Sequence, residues 1–252
     1  VEKEPYELKV HGKIAGIAGE YINRMSRLGD IEFKYEKYDS KEKLEEAIEK
    51  GKVDIYFDYY NLNNENYVPT VSTFVEDYVV LGKQEDNHVV TSFESLKDQT
   101  VVMLKGDSLH SYFSTNSKAK IKPYNSIDKM IKNTKSNVMV VDYEIYSYYQ
   151  NTKFKKFKLL YKDTMMNDYK FMVNKENEEF YNLFNYIINT NSYYNYRNAG
   201  IENLHASILE DSTFEQVYTI ILAIIFIPLT VLIVTYLIIK KKNGVKKIKT
   251  TD

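Results

Sequence analysis

Three turns between a strand and a helix or loop hold the residues best suited to recognition chemistry. Gly106, Asp107 and Ser108 follow the apolar run VVML and open a helix. Such an N-terminus binds anions through free N–H groups and the helix dipole. Asp107 works against that use because its charge repels an anion, and an ordinary strand-to-helix turn accounts for the triplet equally well. Asp142 ends the run NVMVV and opens the next helix, where a carboxylate caps unpaired N–H groups. Asp58, Tyr59 and Asn61 follow VDIYF. Nothing catalytic accompanies these turns. His11, His88, His110 and His205 are scattered without metal-ligand spacing. No nucleophile motif, phosphate loop or dinucleotide glycine pattern is present. Acid pairs such as Glu45 and Glu46 fall on a solvated helix face. The chemistry on offer is binding, with no cofactor and no metal.

Hydrophobic period and capping residues define the elements that carry these turns. Residues 17–28 have helical spacing, while Ile31, Phe33 and Tyr35 alternate with charges as a strand. Ser40 starts a helix that Gly51 stops, and residues 53–60 form the next strand. A short helix begins at Ser92. The pattern then predicts a strand over 101–104, a helix over 108–115 and an extended run over 120–123. Ser126 caps a helix over 127–133, and 138–141 is a buried-type strand leading to a helix over 143–149. Strands over 156–160 and 169–173 and a helix over 176–188 complete the series. This alternation predicts α/β layers with mostly parallel strands.

A different signal follows. From Val217 to Ile239 the sequence VYTIILAIIFIPLTVLIVTYLII carries no charge, and about 20 apolar residues cross a bilayer as a helix. Pro228 is tolerated in such a helix, and Tyr218 and Tyr236 sit near its ends, where aromatic rings favour the interface. Lys240, Lys241, Lys242, Lys246, Lys247 and Lys249 come after the run, with Glu210, Asp211 and Glu215 before it. Lysine clusters stay cytoplasmic, so the preceding residues are expected outside the membrane. With 44% hydrophobic and 27% charged residues, that part is globular. A formal net charge of −1, with lysines spread among acids, points away from nucleic acid. Cysteine is absent, so no disulfide or thiol site is available. The abundance of Lys, Asn, Ile and Tyr matches AT-rich codons, which weakens any functional reading of the 24 tyrosines. An outside domain with this anchor is expected to have an export signal ahead of Val1 and a further module after Asp252.

Five blocks in order, GKIAGIAGEYINRM, KLEEAIEKGKVDIYF, SFESLKDQTVVMLKGDS, NVMVVDYEIYSYY and DYKFMVNKENEEFYNLFNYII, resemble the bacterial type II periplasmic binding proteins. The branch is that of the extracellular solute-binding family for polar amino acids, including versions built into membrane sensors. The resemblance implies an α/β fold of two lobes joined by two crossover strands. One lobe is residues 1–85 plus 172–203, the other 86–171, followed by a connector over 204–216, the transmembrane helix 217–239 and a basic tail over 240–252. The ligand would sit between the lobes, with Asp142 holding an amino group and the Gly106–Asp107–Ser108 loop facing a carboxylate. Asp142 serves equally as a plain cap. Asp58, Tyr59 and Asn61 fall on the ligand-facing loop of the first lobe. The family's carboxylate-clamping arginine is replaced by Asn66, and an amide cannot make that bidentate charged contact. Tyr6 lies where an aromatic covers the ligand, although a core role fits it too, and Lys3 takes the usual stacking position. The implied function is a solute-binding sensor domain of a single-span signalling protein, with an amine- or amino-acid-like small polar ligand. A diguanylate-cyclase-type output would follow, and such sensors often act as homodimers. Two alternatives stay open: the tethered receptor of an amino-acid ABC uptake transporter, and a degenerate fold used for protein contact.

Overall fold

The computed structural model of the chain describes residues 1–10, 12–135 and 137–248, and their side chains except those of 210–216 and 241–248. His11, Glu210, Asp211, Glu215, Lys241, Lys242, Lys246, Lys247 and Lys249, named above, fall outside that description. The chain divides into two compact units, Val1–Leu204 and His205–Asp252.

The first unit opens with a hairpin, β1 (Leu8–Val10) and β2 (Lys13–Ala15), that feeds α1 (Gly16–Gly29). Next come α2 (Lys41–Glu49), β3 (Ile55–Phe57), β4 (Tyr67–Pro69) and the long β5 (Phe74–Lys83). Ser40 caps α2 by accepting from the Lys43 N–H at 3.3 Å, as its position predicts. There follow β6 (Thr100–Leu104), α3 (Ser108–Asn116), β7 (Lys120–Tyr124), α4 (Ile127–Asn133), β8 (Val138–Asp142) and α5 (Tyr143–Tyr149). The chain returns through β9 (Phe157–Tyr169), β10 (Phe171–Asn174) and α6 (Glu178–Thr190), and enters α7 (Tyr196–Ile248).

Two sheets organise this unit. One has the order β3-β10-β4 and the other β7-β6-β8-β5-β9. Of the seven strand pairings among the described residues, only β6 with β7 and β6 with β8 are parallel. The expectation of mostly parallel strands is therefore corrected. β5 and β9, the long strands between the sheets, run antiparallel to their neighbours, and the alternation of helices and strands does not report that. The expected strand at Ile31, Phe33 and Tyr35 is also absent, because residues 31–38 have no ladder partner. Phe33 packs on Phe180 instead.

The two sheets share one apolar core, in which Ile17, Met25, Phe57, Phe171 and Phe184 from the side of the smaller sheet are buried in one cluster with Val79, Leu81, Val102, Met139 and Val141 of the larger. The alternate residues of the larger sheet, Val80, Val101, Met103 and Val140, form a second cluster with Phe113, and Tyr56, Tyr67 and Met172 of the smaller form a third with Leu44 and Ile48 of α2. Gly16 joins hairpin to helix with φ +91°, and a Cβ there would lie 2.5 Å from the Pro5 carbonyl oxygen. That close approach seats the N-terminal turn over α1. In the second unit, α7 holds one segment, Val217–Lys240, long and apolar enough to cross a membrane, with mean hydropathy 2.8 and no part of it buried.

Candidate ligand-binding site

The end of β8 and the start of α5 place Asp142 in the interior, 4% exposed. One of its oxygens caps α5, accepting from the backbone N–H groups of Glu144 at 3.0 Å and Ile145 at 3.1 Å. The other accepts from the Tyr169 hydroxyl at 2.7 Å, and the Tyr6 hydroxyl donates to that of Tyr169 at 3.0 Å. Tyr6 lies in the turn before β1 and Tyr169 ends β9, so this chain of hydrogen bonds draws three distant elements together. Tyr59 stacks on Tyr6 at 5.9 Å and donates to the carbonyl of Val1 and, at 3.3 Å, to Glu7. Burial pushes the hydroxyls of Tyr6 and Tyr169 far above the usual phenol range, with the Asp142 charge adding to it. Burial raises the Asp142 carboxyl too, against hydrogen bonds that favour its charged form.

Gly106 (φ +88°) makes the turn before α3. Asp107 caps that helix through the His110 N–H at 2.8 Å, and its second oxygen lies 3.7 Å from the Lys3 ammonium. Ser108 donates at 2.6 Å to Glu76, which also accepts from Asn167 at 2.8 Å. Glu76 is on β5 and 1% exposed. Burial, and then the Asp142 charge, push its carboxyl up to about 7. Glu144, in the first turn of α5, is as deeply buried and pairs with Arg197 of α7. Burial and Asp142 push it up to about 8 although Arg197 pulls the other way. Arg197 also lies 3.8 Å from Asp77 and 5.0 Å from the Phe74 ring.

Tyr6, Tyr59 and Asp142 thus meet in one network, and Lys3, near both Asp107 and the Tyr6 and Tyr59 rings, brings the Gly106–Asp107–Ser108 turn to its edge. Asp58 sits apart, accepting from the Leu62 N–H at 2.8 Å in its own loop, with burial pushing it up to about 6. Asn61 and Asn66 are exposed, and no described contact joins them to Asp142. Asn61 has φ +53°, a turn conformation. A cavity of about 310 Å³ opens beside Tyr21, Thr73, Tyr194 and Arg197, whereas Asp142 is enclosed by the chain's own side chains. Among the described residues no group of acids and histidines could hold a metal. Sequence reasoning missed Glu76, Glu144, Tyr169 and Arg197. Two signals were available: Glu76 interrupts the apolar crossover FVEDYVVLG, and Arg197 is one of three arginines in a lysine-rich chain.

Two sheets bridged by two long strands, with capped helix starts turned toward their junction, form a known arrangement. The glutamate-bound ligand-binding core of GluR0 superposes with a TM-score of 0.64 at 14% identity, covering 80% of this chain and 94% of that one. The chain has the type II periplasmic-binding-protein fold. The binding-protein fold recurs in the substrate-binding protein of an amino acid ABC transporter, with a TM-score of 0.56, 20% identity and coverage of 74% and 87%. It recurs again in the VFT2 domain of BvgS from Bordetella pertussis, with 0.57, 15% identity and coverage of 73% and 82%. No protein-family model and no curated protein matches the sequence. The likeness lies in the fold.

Proposed function

We propose that this chain is a solute-sensing domain held at a membrane, with residues 1–85 and 172–203 as one lobe, 86–171 as the other, and the binding site between them. The observation that carries this reading is a binding-protein fold followed, in the same chain, by the apolar segment Val217–Lys240. The solute is small and polar, bearing an amine held in the field of the Asp142 carboxylate. The chain's neighbours in fold include the substrate-binding protein of an amino acid ABC transporter, the ligand-binding core of GluR0 and the VFT2 domain of BvgS, and the apolar segment favours a sensor held at a membrane.

Two-lobed binding folds signal by hinge closure, and a ligand favours closure through the contacts it makes only in the closed state. Here β5 and β9 are the hinge strands. Arg197 supplies the link outward: it sits in the first turn of α7 and pairs with Glu144 on α5 and Asp77 on β5. A solute cation near Asp142 changes the field at Glu144 and so the hold on Arg197, on the helix whose later residues form the apolar segment. This reading implies an output module of diguanylate-cyclase type and a homodimeric signalling form. A second reading, a binding fold kept for protein contact, draws on one feature: Asp142, Tyr169 and Tyr6 already satisfy one another.

Because the chain has no cysteine, single cysteines test the placement cleanly. In intact cells, a membrane-impermeant maleimide is expected to label Ser114→Cys, on the exposed side of α3. Lys247→Cys is expected to react only after permeabilisation. Labelling of Lys247→Cys alone in intact cells would reverse the topology, and a chain released without detergent would remove the anchor.

A further inference from the structure

The N-terminal turn delivers a cation to the edge of the Asp142 network. Lys3 pairs with Glu7 as an isolated bridge, and the Lys3 carbonyl accepts from the Tyr6 N–H at 2.7 Å and the Glu7 N–H at 2.9 Å. With its backbone so held, the side chain turns inward and is 16% exposed. The ammonium lies 3.7 Å from the Asp107 carboxylate. It is 5.1 Å from the centre of the Tyr59 ring, 5.6 Å from Tyr60 and 5.9 Å from Tyr6. All three rings are within the ~6 Å over which a ring face attracts a cation. Asp107 spends one oxygen on the α3 cap and leaves the other for Lys3. The Lys3 charge also draws the carboxyls of Asp142 and Glu76 downward, against burial.

Three tyrosines and a carboxylate around one ammonium form a cation site. A lysine side chain gives up rotamer freedom when ordered, so a position with no attraction for it would leave it in water. The ring distances are at the long end of the attractive range, so a better-fitting cation can displace Lys3. Asp107 opens α3 and Lys3 precedes β1, so the pair fastens the α3 side of the site to the N-terminal turn without any solute.

We infer that this cage is an alkylammonium site occupied by the chain's own Lys3, and that a solute's ammonium group enters by displacing it. The inference rests on the solute-sensing reading and names the chemical class of the solute. A tethered occupant lowers apparent affinity by the fraction of molecules in which it is in place. Removing Lys3 therefore raises affinity for a small ammonium ion, the reverse of what losing a contact does.

The test uses the full chain in detergent micelles, with n-butylammonium as probe, n-butanol as its neutral analogue, and tyrosine fluorescence and melting temperature as readouts. Lys3→Ala is expected to bind n-butylammonium at least tenfold more tightly than the parent chain, to ignore n-butanol, and to lose the gain when Asp107→Asn is added. Lys3→Met keeps the length and apolar body of the side chain and serves if Lys3→Ala does not fold. Equal affinity in parent and variant, or equal response to butanol, overturns the inference. If a solute binds the parent chain while Lys3→Ala gains nothing for n-butylammonium, the sensing reading stands and the Lys3 inference falls.

Discussion

Acidification from pH 8 to pH 5 is expected to stabilise the first unit. Burial lifts Glu76 to about 7, and burial with Asp142 lifts Glu144 to about 8. Asp58 rises to about 6 by burial, and Asp142 moves the same way. In the unfolded chain these carboxyls titrate near 4, so between about pH 4.5 and 8 the folded state holds more protons than the unfolded one. Unfolding free energy therefore falls as pH rises through that window. The contribution is complete below about pH 4.5 and lost above about pH 8. At about 1.4 kcal/mol per pH unit, Glu76 alone contributes roughly 3 kcal/mol. For a domain of this size that is roughly 6–12 °C in melting temperature. Glu76→Gln keeps an acceptor for Ser108 and should flatten the slope between pH 5 and 7. Thermal melts at four pH values check this; a melting temperature that falls on acidification would show that these carboxyls are not buried as described.

Asp142 variants should separate structure from recognition. Asp142→Ala removes the acceptor for two N–H groups of α5 and strands the Tyr169 hydroxyl. Losing a cap costs about 1 kcal/mol, and an unsatisfied buried hydroxyl about 1–3 kcal/mol more. The expected loss is therefore roughly 2–4 kcal/mol by chemical denaturation. Asp142→Asn keeps an oxygen for the cap and a polar contact for Tyr169, and removes a buried charge that repels Glu76 and Glu144. Its stability should stay within about 1 kcal/mol of the parent. Any solute held through an ammonium group should nevertheless bind it at least tenfold more weakly. Equal binding to the parent and Asp142→Asn would leave Asp142 as a cap only.

How much of this was legible in the sequence depended on range. Capped helices are local: Ser40, Ser126 and the Tyr143–Tyr149 helix behind Asp142 all stand where the spacing puts them. β9 was harder. Its charges at Lys158, Lys162, Asp163 and Asp168 broke the apolar pattern, so only a short strand over 156–160 was expected there, the next, over 169–173, falling mainly on β10. The structure explains those charges, because among the described residues β9 is an edge strand paired only to β5, where charge is tolerated and guards against further pairing. The Ile31–Phe33–Tyr35 alternation failed for the opposite reason, a strand pattern with no partner strand. Site residues divided the same way. Asp107 and Asp142 announce themselves by position before a helix. Arg197 meets Glu144 across 53 positions, and Lys3 meets Asp107 across more than 100. Such meetings follow from topology, and no local period encodes them.

The most direct test of the central claim, a solute-binding cleft, is a thermal-shift panel of amino acids, amines and small peptides on the full chain in micelles. A ligand that binds only the folded state stabilises it by about 2.7 kcal/mol at a hundredfold excess over its Kd, and so raises the melting temperature. The account predicts that at least one ammonium-bearing compound raises it, and that Asp142→Asn abolishes the effect. No shift with any compound in the panel would contradict the solute-sensing reading and leave protein contact as the use of this fold.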